Sequence, residues 1–264
     1  MVRIIISVIL CLCAIDGQSQ NYKWSISACA GLAIPVGKFA TQNLSDQTSA
    51  FAKIGESANL SFGYYLNKHY GVSALVRLQR NKVDTKAQES KSLNGVSYPN
   101  YNIKINTGSW KSIAFMIGGY YQVSLSERFY LNFELKAGII KTSVPKTTEL
   151  NTQFGTFYSN GVIEKDTTYT LITKNKYPLQ WTAAYLASGG IKYKLNGKVF
   201  ILGLIDYSFT EPTVIRQPME VVTSIATSNG TVIASSGATV PIGRLKYKQP
   251  IATINISFGI QCYF

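Results

Sequence analysis

Ile251-Ala252-Thr253-Ile254-Asn255-Ile256-Ser257-Phe258-Gly259-Ile260-Gln261-Cys262-Tyr263-Phe264 alternates without a break. Ala252, Ile254, Ile256, Phe258, Ile260, Cys262 and Phe264 fall on one face, and Thr253, Asn255, Ser257, Gly259 and Gln261 on the other. A period of two is the signature of a β-strand, because successive side chains point to opposite faces. An apolar face suits hydrocarbon, and a Thr/Asn/Ser/Gln face suits a hydrogen-bonded interior. That is the division a transmembrane barrel strand requires.

Seven further segments carry the same pattern: Trp24 to Ile34, Glu56 to Leu66, Tyr70 to Arg80, Trp110 to Val123, Phe129 to Lys141, Trp181 to Leu195, and Val199 to Thr210. The fifth is the clearest, with Leu131, Phe133, Leu135, Ala137 and Ile139 opposite Asn132, Glu134, Lys136 and Gly138. Most reach the roughly 9–11 residues that a tilted strand needs to cross a bilayer.

The connections alternate in length. Asn67-Lys68-His69, Ser124 to Arg128 and Asn196-Gly197-Lys198 are tight, whereas Pro35 to Gly55, Asn81 to Ser109, Thr142 to Gln180 and Glu211 to Gln249 are long. Asn196-Gly197 reads as a two-residue hairpin turn with positive φ at both positions. The fold expected is an all-β, closed, antiparallel eight-stranded transmembrane barrel, with short periplasmic turns and long extracellular loops. Asn160-Gly161 and Asn229-Gly230 mark hairpins inside two of those loops. They read as barrel strands continuing above the membrane, with a ten-stranded barrel as the alternative. No helical periodicity or internal repeat appears, so residues 20–264 form one domain.

At the amino end, Arg3 precedes an apolar run from Ile4 to Ile15, followed by small Gly17 and Ser19. This is the grammar of a cleaved signal peptide, residues 1–19, and the run is too short for a stable spanning helix. Together with the terminal strand, it places the chain in the outer membrane of a Gram-negative cell. A strand that ends on an aromatic residue resembles the assembly signal of outer-membrane barrels, carried here by Phe258, Ile260 and Phe264. The outer-membrane assembly machinery is the partner that resemblance implies.

Mean hydropathy is only +0.06, which excludes a helical membrane protein and suits a barrel whose alternate residues face lipid. The 17 tyrosines suit belts at the two interfaces. Cys29 falls in the lumen phase and Cys262 in the lipid phase, so they cannot meet each other. Two unpaired thiols are expected.

Arg77, Glu134, Lys136, Lys192 and Asp206 fall on lumen faces. An eight-stranded barrel is just wide enough for its side chains to fill it. Buried charges there must pair, so a structural salt-bridge cluster is expected rather than an ion path. Catalysis is not expected, because the single histidine, His69, lies in a tight turn away from the long loops. No metal-ligand cluster, phosphate loop or cofactor motif is present.

The formal charge of +13 is carried largely by loop residues, among them Lys82, Lys86, Lys91, Lys104, Lys146, Lys165, Lys174, Lys176, Arg216, Arg244, Lys246 and Lys248. In an exported barrel the matching partner is phosphate-rich lipopolysaccharide rather than nucleic acid, with simply solvated loops as the equal alternative. A monomer surrounded by outer-membrane lipid, with no enzymatic role, is the expectation. A narrow channel, a hydrophobic-ligand transporter or an accessory subunit of a secretion system are its alternatives.

Three stretches carry a family resemblance: Gly31-Leu32-Ala33-Ile34-Pro35 leading into Gly37-Lys38-Phe39, then Phe62-Gly63-Tyr64-Tyr65-Leu66-Asn67, and Gly118-Gly119-Tyr120-Tyr121. With the architecture, they resemble the PorT-like family of outer-membrane β-barrels. Small barrels of the OmpA or OmpW kind share the eight-strand plan and stay open as alternatives.

Overall fold

A computed structural model describes residues 23–46, 48–93, 101–159, 162–174, 180–215, 219–227, 232–240 and 246–264. The signal peptide expected over residues 1–19 lies outside them, as do Asn160-Gly161 and Asn229-Gly230. In chain order the strands are β1 (Trp24–Val36), β2 (Gly55–Tyr65), β3 (Tyr70–Lys82), β4 (Tyr101–Thr107), β5 (Ser109–Ser124), β6 (Phe129–Ser143), β7 (Thr147–Ser159), β8 (Val162–Lys174), β9 (Gln180–Lys194), β10 (Val199–Thr210), β11 (Thr213–Ile215), β12 (Met219–Thr227), β13 (Val232–Val240), β14 (Lys246–Lys248) and β15 (Ile251–Tyr263).

Eight of them close into an antiparallel barrel, ordered β1-β15-β10-β9-β6-β5-β3-β2. These are the eight expected segments, each end within two residues of its expected place. Closure is made by β1, which pairs with β2 on one side and with β15 on the other, from Ser25↔Tyr263 to Val36↔Ala252. A closed ring leaves no strand edge, so every ladder amide in it has a neighbour.

The alternation sorts the faces as expected. Leu60, Phe62, Leu78, Phe115, Ile117, Phe133, Leu135, Ile201, Ile205, Phe258 and Ile260 all stand exposed on the outer wall, with Leu135 at 71% and Phe258 at 68%. A wall this apolar is unstable against water and stable against hydrocarbon. Ser25, Ser27, Asn59, Asn132, Asn255 and Ser257 are buried inside.

The three tight turns share one construction. Leu66, Leu125 and Leu195 each donate a backbone bond to the carbonyl four residues on, at 3.0, 2.8 and 2.9 Å. The next residue caps the turn with its side chain. Asn67 Oδ1 accepts from His69 and Tyr70 at 2.8 Å each. Ser126 Oγ accepts from Arg128 at 3.3 Å and Phe129 at 3.1 Å. Asn196 Oδ1 accepts from Lys198 at 2.9 Å and Val199 at 2.8 Å. This corrects the expectation for Asn196-Gly197. Among the described residues only Phe51 and Gly37 have positive φ, so the turn is held by the Asn196 side chain rather than by left-handed backbone.

The long loops hold the larger departures. β11 and β14, which the sequence alternation does not mark, continue the β10–β15 ladder upward, Thr213↔Lys248 following Thr210↔Ile251. The other loop strands also run on from the barrel strands, with β4 and β7 keeping the register of β5 and β6 from Lys111↔Ser143 to Thr107↔Thr147. They form a separate five-stranded sheet, ordered β13-β12-β8-β7-β4, which joins the β3–β5, β6–β9 and β10–β15 loops. The ten-stranded alternative is thereby excluded, since none of these arms enters the ring.

A helix, α1 (Thr85–Leu93), also lies in the β3–β5 loop, where the sequence shows no helical periodicity. It buries no residue, so it has no apolar stripe to betray it. Its first turn is capped by Asp84 Oδ1, which accepts from the Ala87 amide at 3.2 Å. Burial pushes the Asp84 pKa up, but the Ala87 amide and the Lys53 ammonium outweigh it, and the carboxyl titrates below its ordinary range. Glu89 Oε1 then accepts from Ile105 of β4 at 2.7 Å, tying the helix to the edge of the sheet.

Candidate functional site: a filled lumen

The expected lumen residues lie inside, as two ion pairs, Arg77 with Asp206 and Lys136 with Glu134, and the lysine Lys192. Arg77 of β3 and Asp206 of β10 reach across the interior. Arg77 Nη1 donates to Asp206 Oδ1 at 2.8 Å and Nη2 to Oδ2 at 2.6 Å. Both side chains are 3% exposed. Arg77 Nε donates to Asn59 Oδ1 at 2.8 Å, and Asn255 Nδ2 donates to Asp206 Oδ1 at 2.8 Å. The bidentate fork with amide support is the geometry that makes a buried ion pair tolerable.

Lys136 pairs with Glu134 on the same face of β6, two residues away, and Asn132 Nδ2 donates to Glu134 Oε1 at 2.7 Å. Among the described residues Lys192 takes no carboxylate. Its Nζ donates to Gln122 Oε1 at 3.1 Å and to the Tyr65 hydroxyl at 3.2 Å, and it lies 5.6 Å from the Tyr120 ring centroid. Ring faces and neutral oxygens share its charge.

Beneath Lys192, Tyr65, Tyr120, Phe200 and Tyr263 pack together with Tyr130 and close the short-turn end. Tyr65 meets Tyr120 edge-on at 4.7 Å, and Phe200 lies 4.8 Å from Tyr263. Composition assigns these four tyrosines to interface belts; the structure makes them a lumen plug. The signal is the phase, since Tyr65 alternates with Ser61 and Gly63, and Tyr263 with Gln261.

The long-loop end is closed by Phe39, Ala50, Ala52, Trp110 and Ile251. Phe39 is 1% exposed and packs edge-on against Trp110 at 5.6 Å. It is delivered by one 3-10 turn that starts at Gly37, whose φ of 58° suits glycine. Lys38 pairs with Asp46 outside the barrel, and that hydrogen bond holds the Asp46 carboxyl down at about 2.

Between the plugs, a cavity of about 30 Å³ is lined by Ser25, Ser73, Tyr120, Asn132, Lys192 and Gln261. The Ser73 and Tyr120 hydroxyls and the Asn132 and Gln261 carbonyls have no partner among the described residues. Polar walls of that size suit a water or two and no larger solute.

His69 is not simply solvated: its Nδ1 lies 3.1 Å from the Gln122 carbonyl, to which it donates, at the short-turn end. Cys29 is buried and free, as expected. The register sets Cys29 opposite Gly259 on the inner face and Cys262 opposite Ile26 on the outer one, so the two do not meet each other.

No family model matches this chain, and no curated protein matches it. Among solved structures it is similar to Neisserial surface protein A, at 12% identity over 91% of this chain and 97% of that one, with a TM-score of 0.45. A major outer membrane protein from Thermus thermophilus gives 10% identity, 91% and 99% coverage, and a TM-score of 0.41. Ail, the attachment invasion locus protein of Yersinia pestis, gives 11%, 91%, 99% and 0.39. These scores are low, and the barrel assignment rests on the strand pairing of this chain.

Proposed function

We propose that this chain is an integral outer-membrane β-barrel that displays a basic loop platform at the cell surface, without catalysis and without a conducting lumen. The observation that carries this is the closed ring itself: apolar outside, filled with buried polar side chains inside, and plugged by aromatic side chains at both ends. The long-loop end is the extracellular one, because outer-membrane barrels keep short turns in the periplasm. Its loops carry Lys82, Lys86, Lys91, Lys104, Lys146, Lys246 and Lys248. Lys104 lies on the five-stranded sheet, and Lys86 and Lys91 lie on the helix tied to its edge, which favours contact with phosphate-bearing partners. The PorT-like resemblance is compatible with this role and adds no residue to it.

Reconstituted in planar bilayers, the protein is expected to give no unitary conductance above the lipid background. Expressed with its native leader, it is expected in the outer-membrane fraction and to need detergent for extraction. Reproducible channel openings would defeat the filled lumen, and recovery in the soluble periplasm would defeat the membrane assignment.

A further inference from the structure

The outer wall is not uniform. On β5 and β6, near the long-loop end, the apolar belt gives way to outward-facing lysines. Lys111 is exposed and sits between Arg80 of β3 and Ser143 of β6; one row lower, Lys141 sits between Ile113 of β5 and Trp181 of β9. Lys141 Nζ lies 5.7 Å from the Trp181 ring centroid, and Phe115 lies 5.9 Å from the same ring. Arg80 is shared with Glu56 at 3.8 Å. No carboxylate pairs with Lys111 or Lys141 among the described residues.

Directly below, the same wall holds a shallow groove of about 480 Å³. Its floor is made by small Ala137 and Ala187, and its rims by Ile117, Leu135, Tyr185 and Phe209. The register sets these side by side, with Ala137 opposite Tyr185 and Leu135 opposite Ala187. Lys141 and Ala137 lie on the same face of β6, four residues apart, or about 14 Å at roughly 3.4 Å per residue.

Together these features place two unpaired cations above an apolar furrow, on a wall that faces lipid. We propose that this face of β5, β6 and β9 is a binding site for one outer-leaflet glycolipid of the lipid A class. Its phosphate is held by Lys111 and Lys141 against Trp181, and one of its acyl chains lies in the Ala137–Ala187 groove. Charge complementarity chooses the occupant: a phosphorylated sugar lipid offers anionic groups at the membrane surface and several chains beneath them. A lysine at this depth also keeps its stem on the apolar wall and its ammonium at the headgroups. The inference rests on the outer-membrane reading above and names the lipid partner of that wall.

The test uses the full mature chain in mild detergent, titrated by native mass spectrometry with hexa-acylated lipid A, dephosphorylated lipid A and phosphatidylglycerol. One lipid A molecule is expected to bind in preference to the other two. Lys111→Ala with Lys141→Ala is expected to weaken it roughly tenfold, the factor worth about 1.4 kcal/mol, and Ala187→Phe to weaken it by filling the groove. Lys111→Arg with Lys141→Arg keeps the charge and is expected to keep the binding. Equal affinity for phosphatidylglycerol, unchanged binding in the alanine pair, or a second barrel copy occupying this face would overturn the site. Insertion is scored separately, by the heat-dependent gel shift of each variant. Loss of that shift in the wild type counts against the membrane assignment, not against the lipid site.

Discussion

Asp206→Ala is expected to lower the unfolding free energy of the bilayer-inserted protein by about 3–5 kcal/mol, the range for removing one partner of a buried ion pair. The substitution leaves the Arg77 guanidinium 3% exposed and facing only Asn59, with two donors unanswered. Asn255 Nδ2 loses the nearer of its two acceptors at the same time and keeps Thr253 Oγ1 at 3.3 Å. Two variants separate the pair's geometry from its charge. Asp206→Asn preserves shape and removes charge, so it is expected to lose most of the same stability. Arg77→Met with Asp206→Met removes both charges and leaves only the neutral Asn59 and Asn255 amides short of a partner, so it is expected to recover much of the loss. Urea titration of the reconstituted protein, followed by tryptophan fluorescence, reads all three. An Asp206→Ala barrel as stable as the wild type would show that the pair contributes nothing to stability.

The second large effect concerns the seam where β1 meets β15. At Gly31 an added Cβ would lie 2.0 Å from the Ile256 carbonyl oxygen, and at Gly259 it would lie 2.0 Å from the Ala28 carbonyl oxygen. Both obstacles are backbone, and both belong to the two strands that close the ring. Alanine at either position forces the ladder apart at the one junction made between the first and last strands. The pair Gly31→Ala and Gly259→Ala is expected to cost at least the roughly 1–3 kcal/mol of an overpacked interior per site, and to cut the yield of closed barrel steeply. Gly203→Ala serves as the control, since its Cβ would make only ordinary contact with Phe258 at 3.5 Å. The heat-dependent gel shift after refolding into detergent compares the double variant, the control and the wild type. Wild-type refolding of the double variant would mean that the seam tolerates more room than its register suggests.

The barrel is legible in the sequence because membrane and lumen impose one rule on every spanning residue. Period two survives even where composition is unremarkable, as in Tyr70–Lys82, so all eight strands can be read one at a time. What cannot be read depends on partners far apart in the chain. Arg77 and Asp206 are 129 residues apart, and only the ring's register sets them face to face. The five-stranded sheet joins loops whose strands carry Ser and Thr on both faces, so phase says nothing about which arm pairs with which. Helix α1 is held by Asp84 and Glu89 rather than by an apolar stripe, and hydrophobic periodicity is blind to that. The tyrosine plug is a different kind of miss. The inward phase of Tyr65, Tyr120 and Tyr263 is present in the alternation, but tyrosine content by itself points to the membrane interfaces. The turn repeat is similar: Leu66-Asn67, Leu125-Ser126 and Leu195-Asn196 place the same cap at each short turn, a spacing visible in the chain.

A cross-link between β1 and β15 tests ring closure most directly. Ala30 and Phe258 are register partners on the outer wall, at opposite ends of the sequence. With the native cysteines replaced, Ala30→Cys with Phe258→Cys in the membrane-inserted protein is expected to form an intramolecular disulfide on mild oxidation, while Ala30→Cys with Leu135→Cys, on a strand not adjacent to β1, does not. A folded, inserted protein that fails to cross-link the first pair, or cross-links both equally, would contradict a closed eight-stranded ring.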